Sequence, residues 1–368
     1  MTTTGQEEKN AEISKVKCKD CGAFLTYKPG TVLLKCEYCS AENEIRTEPA
    51  EIKELDFNEY LASLENTPEQ EEVNTVKCND CGANTTLKPN VTSDTCPYCA
   101  TPLVVSNSIR TKIIRPSNLL PFKIERPQAN QLFVRWVKDL WFAPNDLKSY
   151  ANNTLNKLNG MYIPFWTYDS NTYTEYSGSR GDHYYVTEYY TDSEGNQQSR
   201  QVRRTMWTYV SGWVSNTFDD VLVCASKSLP EKLTQELEPW DLESLVNFDP
   251  AFLSGFRSES YSVDLPGGWE VAKMIMDPTI STTIRSDIGG DEQRIISKTV
   301  QYNDVTFKHI LLPVWLSAYK YKGKVYRFMI NARTGEVQGE RPYSFWKIFL
   351  LVITILIVIG AVIALSNR

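Results

Sequence analysis

Two short cysteine motifs, repeated at one spacing, constrain this chain more than any other feature. Cys18-x-x-Cys21 and Cys36-x-x-Cys39 are separated by 14 residues, and Cys78-x-x-Cys81 and Cys96-x-x-Cys99 by the same 14. The second set lies 60 residues after the first, and the flanks repeat with it. Val16-Lys-Cys-Lys-Asp-Cys-Gly-Ala matches Val76-Lys-Cys-Asn-Asp-Cys-Gly-Ala, Lys28-Pro29 matches Lys88-Pro89, and Cys36-Glu-Tyr-Cys39 matches Cys96-Pro-Tyr-Cys99. This is a duplicated module. Two Cys-x-x-Cys knuckles bring four thiolates around one tetrahedral centre, at Zn–S distances of about 2.3 Å. Gly22 and Gly82 follow the second ligand of each module, where a knuckle turns through positive φ. A segment this short buries little core, so metal binding supplies much of its folding free energy.

The expected metal ligands are therefore Cys18, Cys21, Cys36 and Cys39 for one ion, and Cys78, Cys81, Cys96 and Cys99 for a second. Four sulfurs close each site, which makes the two zinc ions structural and not catalytic. Iron in a rubredoxin-like site is the alternative that spacing leaves open, whereas duplicated spacing argues against redox dithiols. The ninth cysteine, Cys224, lies in the apolar run Val221-Leu-Val-Cys-Ala and is expected to be a buried thiol.

A second feature stands at the other end of the chain. Ile348 to Leu365 is an uncharged run of 18 residues, about 27 Å long as a helix and close to the hydrocarbon thickness of a bilayer. Phe345 and Trp346 fall where an interfacial aromatic belt belongs, and Lys347 is placed to snorkel to headgroups. The N-terminal residues have no apolar run, so no signal peptide is expected. Three residues after the span translocate more easily than 340 before it. The expectation is a single-pass tail anchor in the cytoplasmic (inner) membrane, with the large domain in the cytoplasm. In that reducing compartment, paired cysteines point to metal more than to disulfides.

Charge is unevenly spread. Residues 1–104 carry 10 Lys/Arg and 18 Asp/Glu, a net of −8, and the remainder carries 29 and 27, a net of +2. Zinc ribbons bind nucleic acid through a basic footprint, which an acidic module lacks. Protein partners at the membrane are expected and nucleic acid is not, although a membrane-tethered nucleic-acid binder is the rival reading. No Gly-x-x-x-x-Gly-Lys-Ser/Thr loop occurs, and His183 and His309 stand in no hydrolase or metalloprotease motif. No enzymatic role is expected.

The organisation reads as zinc ribbon 1 (12–45), an acidic linker with a short amphipathic helix (46–74), zinc ribbon 2 (75–104), a β-rich α+β domain (105–344) and a transmembrane anchor (345–366). The fold class is α+β. In the linker, Asp56 and Glu59 form a capping-box pair, with Phe57, Tyr60, Leu61 and Leu64 on one face. That face suits either a partner or the chain's own core. In the α+β domain, helices are expected from Pro127 to about Trp141, from Asn145 to Leu158, over Glu231–Leu237 and over Trp269–Met276. Strands are expected over 161–175, 183–191, 201–218, 221–227, 295–302, 306–321 and 324–330, with a turn at Asn331–Gly335 leading into 336–339. Ile163-Pro-Phe-Trp166 and Leu312-Pro-Val-Trp315 echo one another. Arg200, Arg203 and Arg204 form a compact basic cluster, read as a hairpin face that could also meet anionic headgroups.

The chain resembles a family of bacterial double zinc-ribbon proteins with a C-terminal membrane anchor, often labelled TFIIB-type zinc-ribbon proteins or primosomal protein N′. The residues that carry the likeness are the two Val-Lys-Cys-x-Asp-Cys-Gly-Ala openings, Tyr162-Ile-Pro-Phe-Trp-Thr-Tyr-Asp169, and Leu312-Pro-Val-Trp315 leading to Asn331-Ala-Arg-Thr-Gly-Glu336. The resemblance implies association with PspA-like and virion-core/SPFH-like envelope-stress proteins and a role as a membrane adaptor. It implies no catalytic residue, and the primosomal label finds no helicase motif here.

Overall fold

The computed structural model describes residues 16–45, 52–63, 70–78, 84–86, 93–96, 98, 102–104, 108–147, 158–191, 193, 195–322 and 324–366. Residues 148–157 of the expected second helix lie outside them, as do Cys81, Gly82 and Cys99 of the second module.

The chain opens with a three-stranded antiparallel sheet, β1 (Leu25–Tyr27), β2 (Leu33–Cys36) and β3 (Glu42–Glu44). A two-residue strand, β4 (Leu55–Asp56), leads into α1 (Phe57–Ser63), and the Asp56 carboxylate accepts the Glu59 amide at 2.8 Å. Phe57 and Tyr60 are buried against Tyr168, Trp269 and Phe307, so this amphipathic face packs on the chain's own core. Then β5 (Gln70–Lys77), β6 (Asn84–Thr86), β7 (Ser93–Thr95), β8 (Pro102–Val104) and β9 (Ser108–Ile114) follow, in sheets ordered β6-β5-β9 and β7-β8.

A nine-stranded sheet dominates the rest. It comprises β4, β10 (Asn118–Leu119), β11 (Asn159–Thr191), β12 (Gln197–Cys224), β13 (Val246–Asn247), β14 (Arg257–Ser258), β15 (Glu292–Tyr321), β16 (Lys324–Asn331) and β17 (Val337–Gly339). Its spine is the antiparallel pair β11 and β15, with β12 against the other edge of β11. The 33 residues of β11 extend roughly 110 Å at about 3.3 Å each. The two echoing Pro-x-Trp segments prove to be partners, with Ile163 opposite Leu312. Among the described residues, three further helices belong to the domain: α2 (Arg126–Asp139), α3 (Glu231–Gln235) and α4 (Leu265–Ile288); the apolar α5 (Phe345–Ser366) follows it.

These strands run through positions that read as breaks in sequence. Asp219-Asp220 and Asn303-Asp304 look like turns, yet Asp220 and Asp304 take φ of 51° and 52° inside continuous strands. Aspartate tolerates that conformation, so a bulge replaces a turn and the strand bends without ending. The Asp169 carboxylate stitches the bend, accepting the Asp220 amide at 2.5 Å and the Thr306 hydroxyl at 2.9 Å. Gly178 interrupts the aromatic pattern because a Cβ there would come within 2.6 Å of the Arg294 carbonyl oxygen.

Helix α4 also runs well past the expected Trp269–Met276. Asp264 caps it by accepting the Gly267 amide, and Gly289 ends it at φ 65°. Pro278 and the β-branched Thr279, Ile280, Thr282 and Thr283 argue locally against helix. Burial of Gly268, Ala272, Met276, Ile280, Ile284 and Ile288, every fourth residue, prevails because that face covers the three long strands.

Side chains alternate across the central sheet, and the two faces carry different layers. Tyr162, Leu311 and Trp315 meet α2 and the first cysteine module, through Leu25, Tyr27 and Leu34. Met161, Ile163, Ile310 and Leu312 meet Val76, Cys78, Cys96 and Tyr98 of the second. The modules therefore sit on opposite faces of one sheet. Helix α5 is long and apolar enough to cross a membrane, and none of its span is buried within the structure.

Candidate metal centre

In the first module the four sulfurs of Cys18, Cys21, Cys36 and Cys39 all lie within 4.8 Å of one another. Sγ of Cys18 is 3.5 Å from that of Cys39, and Sγ of Cys21 is 3.5 Å from that of Cys36. A tetrahedron with metal–sulfur bonds of about 2.3 Å has edges of roughly 3.8 Å, so the donor set fits one ion. The two knuckles are built alike. The Cys18 amide donates to Ala23 O (2.7 Å) and Gly22 N to Cys18 O (2.9 Å), while Cys36 N donates to Ala41 O (2.9 Å) and Ser40 N to Cys36 O (3.0 Å). Gly22 turns at φ 74°, and Ser40 takes the equivalent position at 61° without being glycine.

The electrostatics suit a cation. Amides of Cys39 and Tyr38 aimed at Cys36 lower its thiol to about 7. Cys39 is pushed up to about 12, because neighbouring sulfurs outweigh the hydrogen bond from the Ala41 amide that would lower it. Four crowded sulfurs cannot all ionise without positive charge among them, and a divalent metal supplies it.

In the second module Cys78 and Cys96 are both buried, while Cys81 and Cys99 lie outside the described residues. The repeated Cys-x-Tyr-Cys tyrosines differ sharply: Tyr38 is 84% exposed and Tyr98 is 0% exposed. The Tyr98 hydroxyl donates to the buried Glu259 carboxylate, which also accepts from Ser226 (2.8 Å) and Ser228. Nothing local in the sequence marks Glu259 as this module's seat, because its partners lie 31, 33 and 161 residues away.

Burial pushes Glu259 up to about 7, from an ordinary 4.5, against its three hydroxyl donors. His309 is buried beside Trp166 and Tyr261, its Nδ1 2.8 Å from Ile114 O, and burial lowers it to about 4 from 6.5. The two act in opposite senses. Folded Glu259 keeps a proton that the unfolded chain has released, so its contribution falls as pH rises from 4.5 to 7. Folded His309 refuses a proton that the unfolded chain takes, so its contribution falls as pH drops from 6.5 towards 4. Relative to the wild type, lowering the pH from 6.5 to 5 should favour the His309→Gln protein by about 2 kcal/mol and disfavour the Glu259→Gln protein by about as much. Denaturant titrations of both variants at the two pH values check this, and parallel profiles would contradict it.

Other sequence candidates resolve as follows. Cys224 is half-buried, not fully buried as expected. It lines a groove of about 700 Å³ with Leu222, Leu229, Val271, Met274 and Ile275, because no described strand pairs with the outer edge of β12. His183 lies on β11 with Nε2 2.8 Å from Glu292 Oε1, 126 residues from the buried His309. Arg200 and Arg204 both pair with Glu188, on the hairpin at the far end of β11 from Asn159. Glu54, Asp169 and Asp219 also approach within 4.8 Å, beside Lys308, which reaches Glu54 (2.8 Å) and Asp220 (2.7 Å). Lys308 already brings a cation to this acidic group.

No family model matches the chain, and no solved structure matches it. It is 26% identical over 340 residues to the "Uncharacterized protein YdjG" of Bacillus subtilis (strain 168), covering 91% of this chain and 92% of that protein. The likeness thus extends over nearly the whole of both chains.

Proposed function

We propose that this protein is a membrane-anchored zinc-ribbon adaptor, without catalytic activity, that gathers soluble proteins at the cytoplasmic face of the inner membrane. The observation that carries this reading is the pairing of an unburied apolar helix with a thiolate quartet whose knuckle tips face outward. Each of the two cysteine modules holds one structural zinc ion. Module 1 is the binding head, because Phe24, Val32 and Tyr38 are exposed around its knuckles. Module 2 is the foot, because its matching tyrosine is buried on Glu259. PspA-like and SPFH-like envelope-stress proteins are the partners that the family resemblance favours.

The rival is a membrane-tethered nucleic-acid binder. The net charge of −8 over residues 1–104 opposes it, since phosphate contacts need clustered Lys and Arg. The full-length protein in detergent should show negligible binding to duplex or single-stranded DNA near physiological salt. Crosslinking from membranes should capture soluble proteins with the intact chain and lose them with the Phe24→Ala, Tyr38→Ala double variant. Salt-sensitive DNA binding at micromolar strength, or capture unaffected by the double variant, would overturn the reading.

A further inference from the structure

The loop that follows α2 is tied to the first turn of α5. Ser344 N donates to Phe142 O at 2.7 Å, and Lys347 Nζ donates to Ala143 O at 2.8 Å and to Trp141 O at 3.2 Å. Sequence places Lys347 where it can snorkel to headgroups, and in the structure its ammonium is engaged by these carbonyls. They belong to the loop just past the end of α2. The loop is also fixed from within, since Ala143 is buried and its amide donates to Leu140 O at 3.1 Å.

On this held loop Trp141 is 80% exposed, with Phe142 stacked beside it at 6.0 Å. Tyr343, Phe345 and Trp346 are exposed in the adjoining turn. An indole of this size gains about 2 kcal/mol on leaving water, yet nothing in the described chain covers it. Tryptophan favours the boundary between headgroups and acyl chains, where its ring is apolar-packed and its N–H stays wet. The clasp sets Trp141 at the level of Lys347, three residues after Ser344 and hence about 5 Å along the helix.

We propose that the loop from Leu140 to Pro144 is a second membrane contact, with the Trp141 ring lodged among lipid headgroups beside the anchor. The proposal rests on reading α5 as a membrane span. The occupant is the bilayer surface because the loop is continuous with the start of that span, and a protein docked there would compete with the headgroups. Two points of attachment fix the domain's rotation, so the long sheet does not swivel about Ser344.

The test uses full-length protein in phosphatidylcholine/phosphatidylglycerol vesicles carrying a nitroxide near the headgroup, with Trp141→Phe and Trp346→Phe variants. Trp346 reports the anchor and Trp141 the loop. With these two of nine tryptophans at the interface, either substitution should remove about half of the quenchable emission. Quenching lost in Trp346→Phe but unchanged in Trp141→Phe would overturn the loop contact and leave the anchor standing. No quenching of either ring would remove the anchor reading, and the loop contact with it. Both substituted rings are exposed, so a far-ultraviolet spectrum matching the wild type is expected for each variant.

Discussion

Replacing Cys36 and Cys39 by serine should lower bound zinc from two ions per chain to one, and should destabilise the main domain as well as the module. The first part follows from the closed sulfur quartet, in which two lost thiolates leave no tetrahedral site. The second follows from packing. Tyr27 sits edge-on to Phe252 at 5.1 Å, its hydroxyl donates to Phe122 O at 3.2 Å, and the Ser254 hydroxyl donates to Leu25 O. Structural zinc contributes about 10–16 kcal/mol to folding in small peptides near neutral pH, more than a module of this length recovers from its own contacts. Once it unfolds, Leu25, Tyr27 and Leu34 leave the core they share with Phe122 and Trp315, and each such loss costs about 2–5 kcal/mol. Metal analysis with a thermal melt checks both parts. Zinc unchanged near two, or a protein dominated by iron, would refute the site. An unshifted melt would refute the shared core.

Removing Phe345 to Arg368 should transfer the protein from the membrane fraction to the soluble fraction. The deleted helix is uncharged from Ile348 to Leu365, and its side chains find no cover within the structure. Burying some twenty such residues in lipid outweighs anything else the described chain offers a bilayer. The clasp from Lys347 is lost too, but the core residues around Phe328 and Trp315 keep their contacts, so the released domain stays folded. Carbonate extraction of the truncated and full-length chains decides the matter. A truncated protein that resists extraction, or a full-length protein that never sediments with membranes, would refute the anchor.

The first cysteine quartet and the apolar helix were legible in the sequence because both are local. Two Cys-x-x-Cys knuckles 14 residues apart need little beyond their own turns to close on an ion, and the hydrophobicity of α5 depends on no neighbour. Helix α2 and the turn at Asn331 belong with them, each marked by its own Pro or Gly. Only the tertiary structure decided that Tyr38 faces solvent while its repeat, Tyr98, is buried on Glu259, since the matching Cys-x-Tyr-Cys motifs meet different neighbours. It also carried three strands through Gly178, Asp220 and Asp304, where local propensity predicts breaks but paired neighbours hold the ladder. Helix α4 persisted past Pro278 for the same reason: its fourth-residue apolar stripe gains more from covering the sheet than the proline costs. Spacing along the chain decides which atoms meet within a turn, whereas the choice of face, neighbour and burial belongs to contacts among residues tens to hundreds of positions apart.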